Sequence, residues 1–365
     1  MQRFATAGRT GRFRCRACSL VSRRDVARRP HPILHREGTE PQNDGALRVT
    51  RSPTDAGGAL DAAPASPSGC PVCGGERLSF LGRGARSSGF ARCLTCGLFF
   101  QRGRARTDAS RALYSTDYFR LREGGTGGWD TRDVAQLRRQ SFEYHLAEIE
   151  KVAAKGVLVD VGCGEGFLLE VARGRGWREL HGVDVAPTAV ERAGRYGTIC
   201  QGDLVDARLP SAIADVVTFV DSFEHLWNPL GELREAYRVL KPGGIVYIVT
   251  PNAAGLLARL MGGAWFQIKP DEHVRLYSTS ALRQLLTRSG WSDIAFKRAG
   301  KYSSLSFVTT ILATTNPLLA RLVALLFGWT PVWRSLWFIP SGDLRATARR
   351  PTEHAHEWRP PDVSV

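Results

Sequence analysis

From residue 157 to residue 250 the chain alternates short apolar runs with longer mixed segments. Residues 157–161, 180–184, 215–220 and 245–250 are rich in aliphatic and β-branched side chains, and a further run ends near Gln201-Gly202-Asp203-Leu204. Runs of this length, continuous rather than alternating, predict strands covered on both faces. Residues 230–240 read as a helix between two of them. Residues 134–154 also have helical spacing, with Val134, Leu137, Leu146, Ile149 and Val152 marking one apolar face. Strands alternating with helices predict an α/β fold, doubly wound about a mostly parallel sheet. Residues 342–348 offer a last strand.

The chemistry gathers where these runs end. Val157-Leu158-Val159-Asp160-Val161 leads into Gly162-Cys163-Gly164-Glu165-Gly166. Glycines at alternate positions predict a tight turn into a helix that lets backbone approach a ligand closely. The spacing is G-x-G-x-G rather than the G-x-G-x-x-G of a dinucleotide site. The acid just before the turn, Asp160, suits a cationic ligand better than a pyrophosphate. Asp184 ends the next strand, where a carboxylate can accept both hydroxyls of a ribose. Asp203 is placed to take an adenine amino group, with Leu204 against the ring. Asp221 ends the fourth strand and opens Asp221-Ser222-Phe223-Glu224-His225-Leu226, and Lys241-Pro242-Gly243-Gly244 reads as a turn.

In order along the chain, VDVGCGEGF, HGVDVAP, QGDL, DVVTFVDSFEHL and VLKPGGIVYIVTPN resemble the class I S-adenosylmethionine (SAM)-dependent methyltransferases. EHVRLYSTSALRQLLTRSGW extends the likeness to Trp291. The resemblance implies a Rossmann-like sheet of seven strands and a SAM site formed by Asp160, Gly162, Cys163, Gly164, Gly166, Asp184, Val185, Asp203, Leu204 and Asp221. The bland alternative is a doubly wound fold that has lost its cofactor. Within the turn, Cys163 reads as a packing residue, as does Cys200.

A second motif precedes this core. Cys70, Cys73, Cys93 and Cys96 stand as C-x2-C-x19-C-x2-C, with a glycine after each pair. Two such knuckles close a tetrahedral zinc site with no open position, so the metal is structural. A redox thiol pair is the alternative, and it does not need the duplicated knuckle. Six of the eight cysteines lie in C-x-x-C pairs, which points to a reducing compartment. The first of these pairs, Cys15 and Cys18, has no partner pair and reads as incidental. A ribbon, a Tyr114-Ser115-Thr116-Asp117-Tyr118-Phe119 segment and this core together resemble bacterial methyltransferases of envelope glycans, lipids and secondary metabolites.

Charge changes the picture less than its size suggests. Of the net +15, residues 1–36 supply +9 through ten arginines against Asp25. The remaining excess is thinly spread, which does not call for a nucleic-acid partner. Residues 1–65 lack periodicity and read as a disordered Arg-rich extension, with a transit-peptide-like start or a start codon assigned too far upstream as alternatives. The expected order is then a ribbon over 66–105, a methyltransferase domain over 106–350 with an apolar helical insertion at 305–340, and a polar tail over 351–365.

For catalysis, Glu224 and His225 follow the fourth strand beside the expected methyl group. His273 lies in the segment after the fifth strand, which would cover the acceptor. Either histidine can serve as general base for a hydroxyl acceptor; the plainer reading has His225 packing its helix and His273 supporting a loop. D-S-F-E-H also resembles the E-x-x-E-H segment of ubiquinone-biosynthesis O-methyltransferases, which implies Mg or Mn held by Asp221, Glu224 and His225. Trp265, Phe266 and Tyr277 form either an apolar acceptor pocket or a packed lid.

Residues 305–340 carry only Arg321 and Arg334 as charges, together with Trp329, Trp333 and Trp337. Asn316-Pro317 and Thr330-Pro331 break the stretch too often for a membrane span. Two helices lying at a membrane interface fit, as does a helical cap or a homodimer face. The reading is a cytoplasmic enzyme, with peripheral contact at the inner face of the membrane, that methylates a small-molecule or lipid- or glycan-linked acceptor, at oxygen. An RNA methyltransferase gripping through the ribbon and a SAM-binding scaffold are the competing classes. The segment after the fourth strand lacks the N/D-P-P-Y/F of base-directed enzymes, which disfavours the first.

Overall fold

The computed structural model describes residues 69–80, 89–102, 131–313 and 316–352. The Arg-rich extension, Cys15 and Cys18, the Tyr114–Phe119 segment and the end of the tail lie outside them. In chain order the elements are β1 (Leu78–Phe80), β2 (Phe90–Cys93), β3 (Phe99–Gln101), α1 (Thr131–Ile149), β4 (Val157–Val161), α2 (Phe167–Gly174), β5 (Glu179–Asp184), α3 (Pro187–Ala193), β6 (Thr198–Gln201), α4 (Leu204–Ala207), β7 (Ala214–Val220) and α5 (Pro229–Val239). Then come β8 (Leu240–Pro251), α6 (Leu256–Met261), β9 (Arg275–Leu276), α7 (Thr279–Arg288), β10 (Ser292–Ser303), α8 (Leu305–Ala313), α9 (Pro317–Phe327) and β11 (Trp337–Arg349).

The main sheet has the strand order β10-β11-β8-β7-β4-β5-β6. β4 pairs in parallel with β5 and β7, β5 with β6, and β7 with β8; β11 runs antiparallel to β8 and β10. The chain moves outward from β4 to β6, then returns across it to β7. That reversal opens a crevice between the carboxyl ends of β4 and β7, where doubly wound sheets bind ligands.

The continuous apolar runs bury both faces of these strands. Val157, Val159, Val217, Phe219, Val246 and Ile248 enter one core with α5 and α7. Leu158, Val216, Val220, Tyr247 and Val249 enter the other with α1 and α2. Each large apolar side chain so enclosed contributes roughly 1.5–3 kcal/mol relative to exposure. Leu137, Leu146 and Ile149 of α1 point inward as expected, but Val152 lies beyond the helix end and is exposed. The Asn228 side chain accepts from the Gly231 amide at 3.0 Å, and Pro229 opens α5, which fixes where that helix starts. Lys241–Gly244, expected as a turn, is already strand, with the register irregular between Ala214 and Val216 opposite it.

A small sheet, β1-β2-β3-β9, carries the cysteine knuckles. Its fourth strand comes from the segment after β8, a pairing the sequence did not suggest. Cys70, Val72, Cys93, Cys96 and Leu98 share a core with Tyr277, Leu282 and Leu285. Ser278 caps α7 through the Ala281 amide at 3.0 Å, and its hydroxyl also donates to the Cys96 carbonyl. The knuckles therefore sit on the large domain rather than apart from it.

The helical pair α8–α9 connects β10 to β11. β11 starts at Trp337, five residues before the expected strand. Among the described residues, no helix is long and apolar enough to cross a membrane.

Candidate active site

The glycine turn after β4 adopts positive φ at each glycine: 74° at Gly162, 52° at Gly164 and 84° at Gly166. A Cβ on Gly162 would stand 2.4 Å from Ser222 Cβ, so glycine alone lets the β4 and β7 exits approach. A Cβ on Gly164 would meet nothing within 4 Å, which marks the open side of the turn.

Asp184 ties this turn to the next one. Its Oδ2 accepts from the Gly164 amide at 2.8 Å and its Oδ1 from the Ala186 amide at 2.9 Å. Burial raises its pKa, against the pull of these amides. The Gly162 and Cys163 amides both donate to the Val183 carbonyl, at 2.8 and 3.0 Å. Cys163 is buried, and burial pushes its thiol well up, consistent with packing.

Two expected contact residues occupy supporting places. Asp160 is 3% exposed, and its Oδ1 accepts from Thr218 Oγ1 at 2.6 Å, so it braces β4 against β7 beneath the turn. Burial raises its pKa to about 7, opposed by Thr218 and reinforced by Asp184. Leu204 is 0% exposed and belongs to the core; the exposed apolar side chains at these strand ends are Val185 and Val205. Asp203 caps α4, accepting from the Asp206 amide at 3.0 Å.

At the end of β7, Asp221 has φ 54°, a conformation that costs a non-glycine residue energy. Its Oδ1 accepts from Lys301 Nζ at 2.8 Å, and Lys301 also lies 3.1 Å from the buried Asp343. The Asp221 side chain is 41% exposed, so partial burial only weakly opposes its charged form, and the Lys301 ammonium holds the carboxyl below the usual range. Lys301 is likewise opposed by burial and held charged by Asp221 and Asp343. Sequence reasoning missed Lys301 and Asp343, because nothing local says that β10 and β11 bring them to the end of β7.

Glu224 and His225 lie in a single 3-10 turn, and His273 reaches them from the segment before β9. One ligand atom from each lies within 4.8 Å of the others, and the two imidazole centroids are 4.9 Å apart. His225 Nδ1 is 2.9 Å from the Glu272 carbonyl and His273 Nδ1 is 2.6 Å from the Gln267 carbonyl. A carbonyl only accepts, so each Nδ1 carries its proton and Nε2 is the basic nitrogen. Burial, then the His225 charge, lowers the His273 pKa to about 3, so that ring stays neutral. Glu224 is 3% exposed and accepts from Thr250 Oγ1 at 2.9 Å. Burial and the neighbouring Asp221 charge raise its pKa to about 8.

The expected grouping of Asp221, Glu224 and His225 differs from the one the structure brings together. Asp221 is engaged by Lys301, and His273 takes its place beside the other two. Two imidazoles and one carboxylate suit Mn or a similar transition ion better than Mg, which prefers oxygen. Trp265 and Tyr277 are buried, Trp265 in a small core with Phe90, Phe99 and Ile268, so these two pack the cover rather than line a pocket.

The cover is held by the cysteine-bearing sheet. The Val274 amide donates to the Glu224 carbonyl at 2.9 Å, and the Gln101 amide to the Val274 carbonyl at 3.1 Å. Gln101 Nε2 donates to the His273 carbonyl at 2.9 Å and to that of Pro270. Two cysteine pairs stand behind this strand, with Cys70 Sγ 3.5 Å from Cys96 Sγ and Cys73 Sγ 3.5 Å from Cys93 Sγ. Sulfurs about 2.3 Å from a tetrahedral zinc stand ~3.8 Å apart, close to this spacing. The hydrogen bond with Cys96 lowers the Cys70 thiol to about 5, and the same bond, with burial, raises that of Cys96.

A methyltransferase-domain family model matches residues 134–295. Ubiquinone biosynthesis O-methyltransferase of Xanthomonas campestris pv. campestris is 30% identical over 217 residues, covering 52% of this chain and 89% of its own. The chain belongs to the SAM-dependent methyltransferases. A Mycobacterium tuberculosis protein named "Probable S-adenosylmethionine-dependent methyltransferase" is 31% identical over 160 residues, 42% of this chain. This chain spans 56% of that relative's length. Malonyl-[acyl-carrier protein] O-methyltransferase of Serratia marcescens is 33% identical over 124 residues, covering 33% of this chain and 47% of its own. Among solved structures, a SAM-dependent methyltransferase from Archaeoglobus fulgidus is similar at 19% identity and a TM-score of 0.43, over 64% of this chain and 98% of its own.

Proposed function

We propose that this methyltransferase transfers the methyl group of SAM to a hydroxyl oxygen of a small or lipid- or glycan-linked acceptor. The observation that carries the reading is the meeting of Glu224, His225 and His273 at the carboxyl edge, beside the turn that Asp184 latches. Relatives named O-methyltransferases, for ubiquinone biosynthesis and for malonyl-[acyl-carrier protein], agree with oxygen as the acceptor. When bound, SAM supplies a methyl group on a positively charged sulfur. The acceptor oxygen bonds to that carbon as the carbon–sulfur bond breaks, and the sulfur leaves as a neutral thioether.

The chain's residues have separate tasks in this reading. The open face of Gly164 and the exposed Val185 border the cofactor, and Asp184 orients both turns while presenting its remaining lone pairs to a ribose. His225, half-buried, takes the hydroxyl proton at Nε2. His273, kept neutral, and Glu224 hold that imidazole in place. In place of base catalysis by His225, the same three groups would hold a divalent transition ion, His225 through Nε2, and that ion would lower the pKa of a bound hydroxyl. Cys70, Cys73, Cys93 and Cys96 would hold a structural zinc.

His225→Asn is the direct test. It should lower kcat roughly 100-fold, in line with loss of a general base, and leave SAM affinity unchanged. The labelled product should be an acid-stable methyl ether. Wild-type kcat in this variant would remove His225 as the base. A labelled methylamine would remove oxygen as the acceptor.

A further inference from the structure

The exposed apolar surface is larger than residues 305–340. In α9, Leu318 and Leu325 are 75% and 74% exposed, and Trp329 just beyond is 83% exposed. In α6, far away in sequence, Leu256 and Leu260 are 72% and 75% exposed. β8 and β10 both run antiparallel to β11, so they point the same way. α6 follows β8 and α8–α9 follows β10, so both groups leave the sheet at the carboxyl edge, the edge that carries Asp221 and the glycine turn. α6 leaves beside β11, where Asp343 pairs with Pro251 and a Cβ on Gly255 would lie 3.6 Å from the Gly342 carbonyl oxygen; α8 leaves six residues further along the same strand, where Ser303 pairs with Trp337.

The charges of this surface have one sign. Residues 253–268 and 305–340 contain Arg259, Arg321 and Arg334 and no acidic residue. All three arginines are exposed. A second copy docking by the same face would set these arginines against their equivalents with no carboxylate to pair. An anionic lipid surface matches both properties, taking leucines into the acyl boundary and arginines to headgroups. At 11 residues α9 is about 16 Å long, roughly half the hydrocarbon thickness, so it would lie in the interface rather than cross it.

We propose that α6 and the α8–α9 pair form one docking face for an anionic bilayer, which turns the catalytic edge towards the membrane. Resting on the reading of the site as a methyl-transfer centre, this narrows the acceptor to a lipid or lipid-linked molecule reached from the interface.

The test is co-sedimentation of the full chain with phosphatidylcholine vesicles, with and without phosphatidylglycerol. SAM affinity and the thermal midpoint are measured in parallel. Wild type should bind the anionic vesicles, and binding should weaken with salt. The double variants Leu318→Glu/Leu325→Glu and Leu256→Glu/Leu260→Glu should each lower partitioning at least about tenfold. Both should keep wild-type SAM affinity and midpoint, so a failed docking face and a failed methyl-transfer reading give different results. Absence of vesicle binding by wild type would overturn the proposal. So would binding unchanged in both variants, or a wild-type dimer that the same substitutions dissociate.

Discussion

Gln101→Leu removes the side-chain donor that joins β3 to the segment carrying His273. The His273 and Pro270 carbonyls lose their Gln101 partner. A typical intramolecular hydrogen bond contributes about 1 kcal/mol net. The two together give roughly 2 kcal/mol, which raises the population of a locally opened segment about 30-fold. The opening stays local, because the Gln101 amide still donates to the Val274 carbonyl and Phe99 still pairs with Leu276. Hydrogen exchange reads this directly. The His273 amide donates to the Lys269 carbonyl and the Val274 amide to the Glu224 carbonyl, both at 2.9 Å, so both should be protected in wild type. In the variant both should exchange roughly 30-fold faster while amides of β4 do not change. Methyl transfer and SAM affinity should stay within about twofold of wild type, because a segment well protected in wild type remains mostly closed after that rise. Unchanged exchange at 273 and 274 would refute the brace.

Two further outcomes follow from buried groups elsewhere. Asp160 titrates near 4 when unfolded and at about 7 in the fold, so the folded state holds the extra proton between these values. Its contribution to stability is complete below about pH 4 and is lost as pH rises through 7. Asp160→Asn should flatten that part of the stability profile in urea titrations from pH 4 to 8, and an unchanged slope would contradict the assignment. Elemental analysis should find one zinc per chain in wild type and none in Cys93→Ser, whose unfolding midpoint should also fall, because Cys93 lies in the core shared with α7. Wild-type protein without zinc at the four cysteines would contradict that site.

Much of the fold is legible before any coordinates. The run Val157–Val161 followed by glycines reads as a buried strand entering a tight turn, and Asp184 marks the next strand end. The cysteine spacing announces a closed cluster. What local pattern cannot give is which distant elements become neighbours. Lys301 looks like an ordinary exposed lysine of a strand until β11 folds between β8 and β10 and brings it to Asp221. His273 reads as a loop residue until β9 joins the cysteine-bearing sheet and sets it beside His225. Leu204 misleads for the opposite reason: its place after a strand end suggests a ligand contact, but side-chain direction there is set by α4, which turns it into the core. The exposed leucines of α6 escape notice in sequence because six residues are too few to show a face, and because only the sheet brings α6 and α9 to the same edge.

The most direct measurement is methyl transfer from radiolabelled SAM to fractionated cell extract, comparing wild type with Asp184→Ala. Asp184 holds the Gly164 and Ala186 amides, so its loss should release both cofactor turns together. Label appearing in the lipid or glycolipid fraction with wild type, and absent with the variant, is the result expected. Label in RNA, or equal labelling by both proteins, would contradict the account.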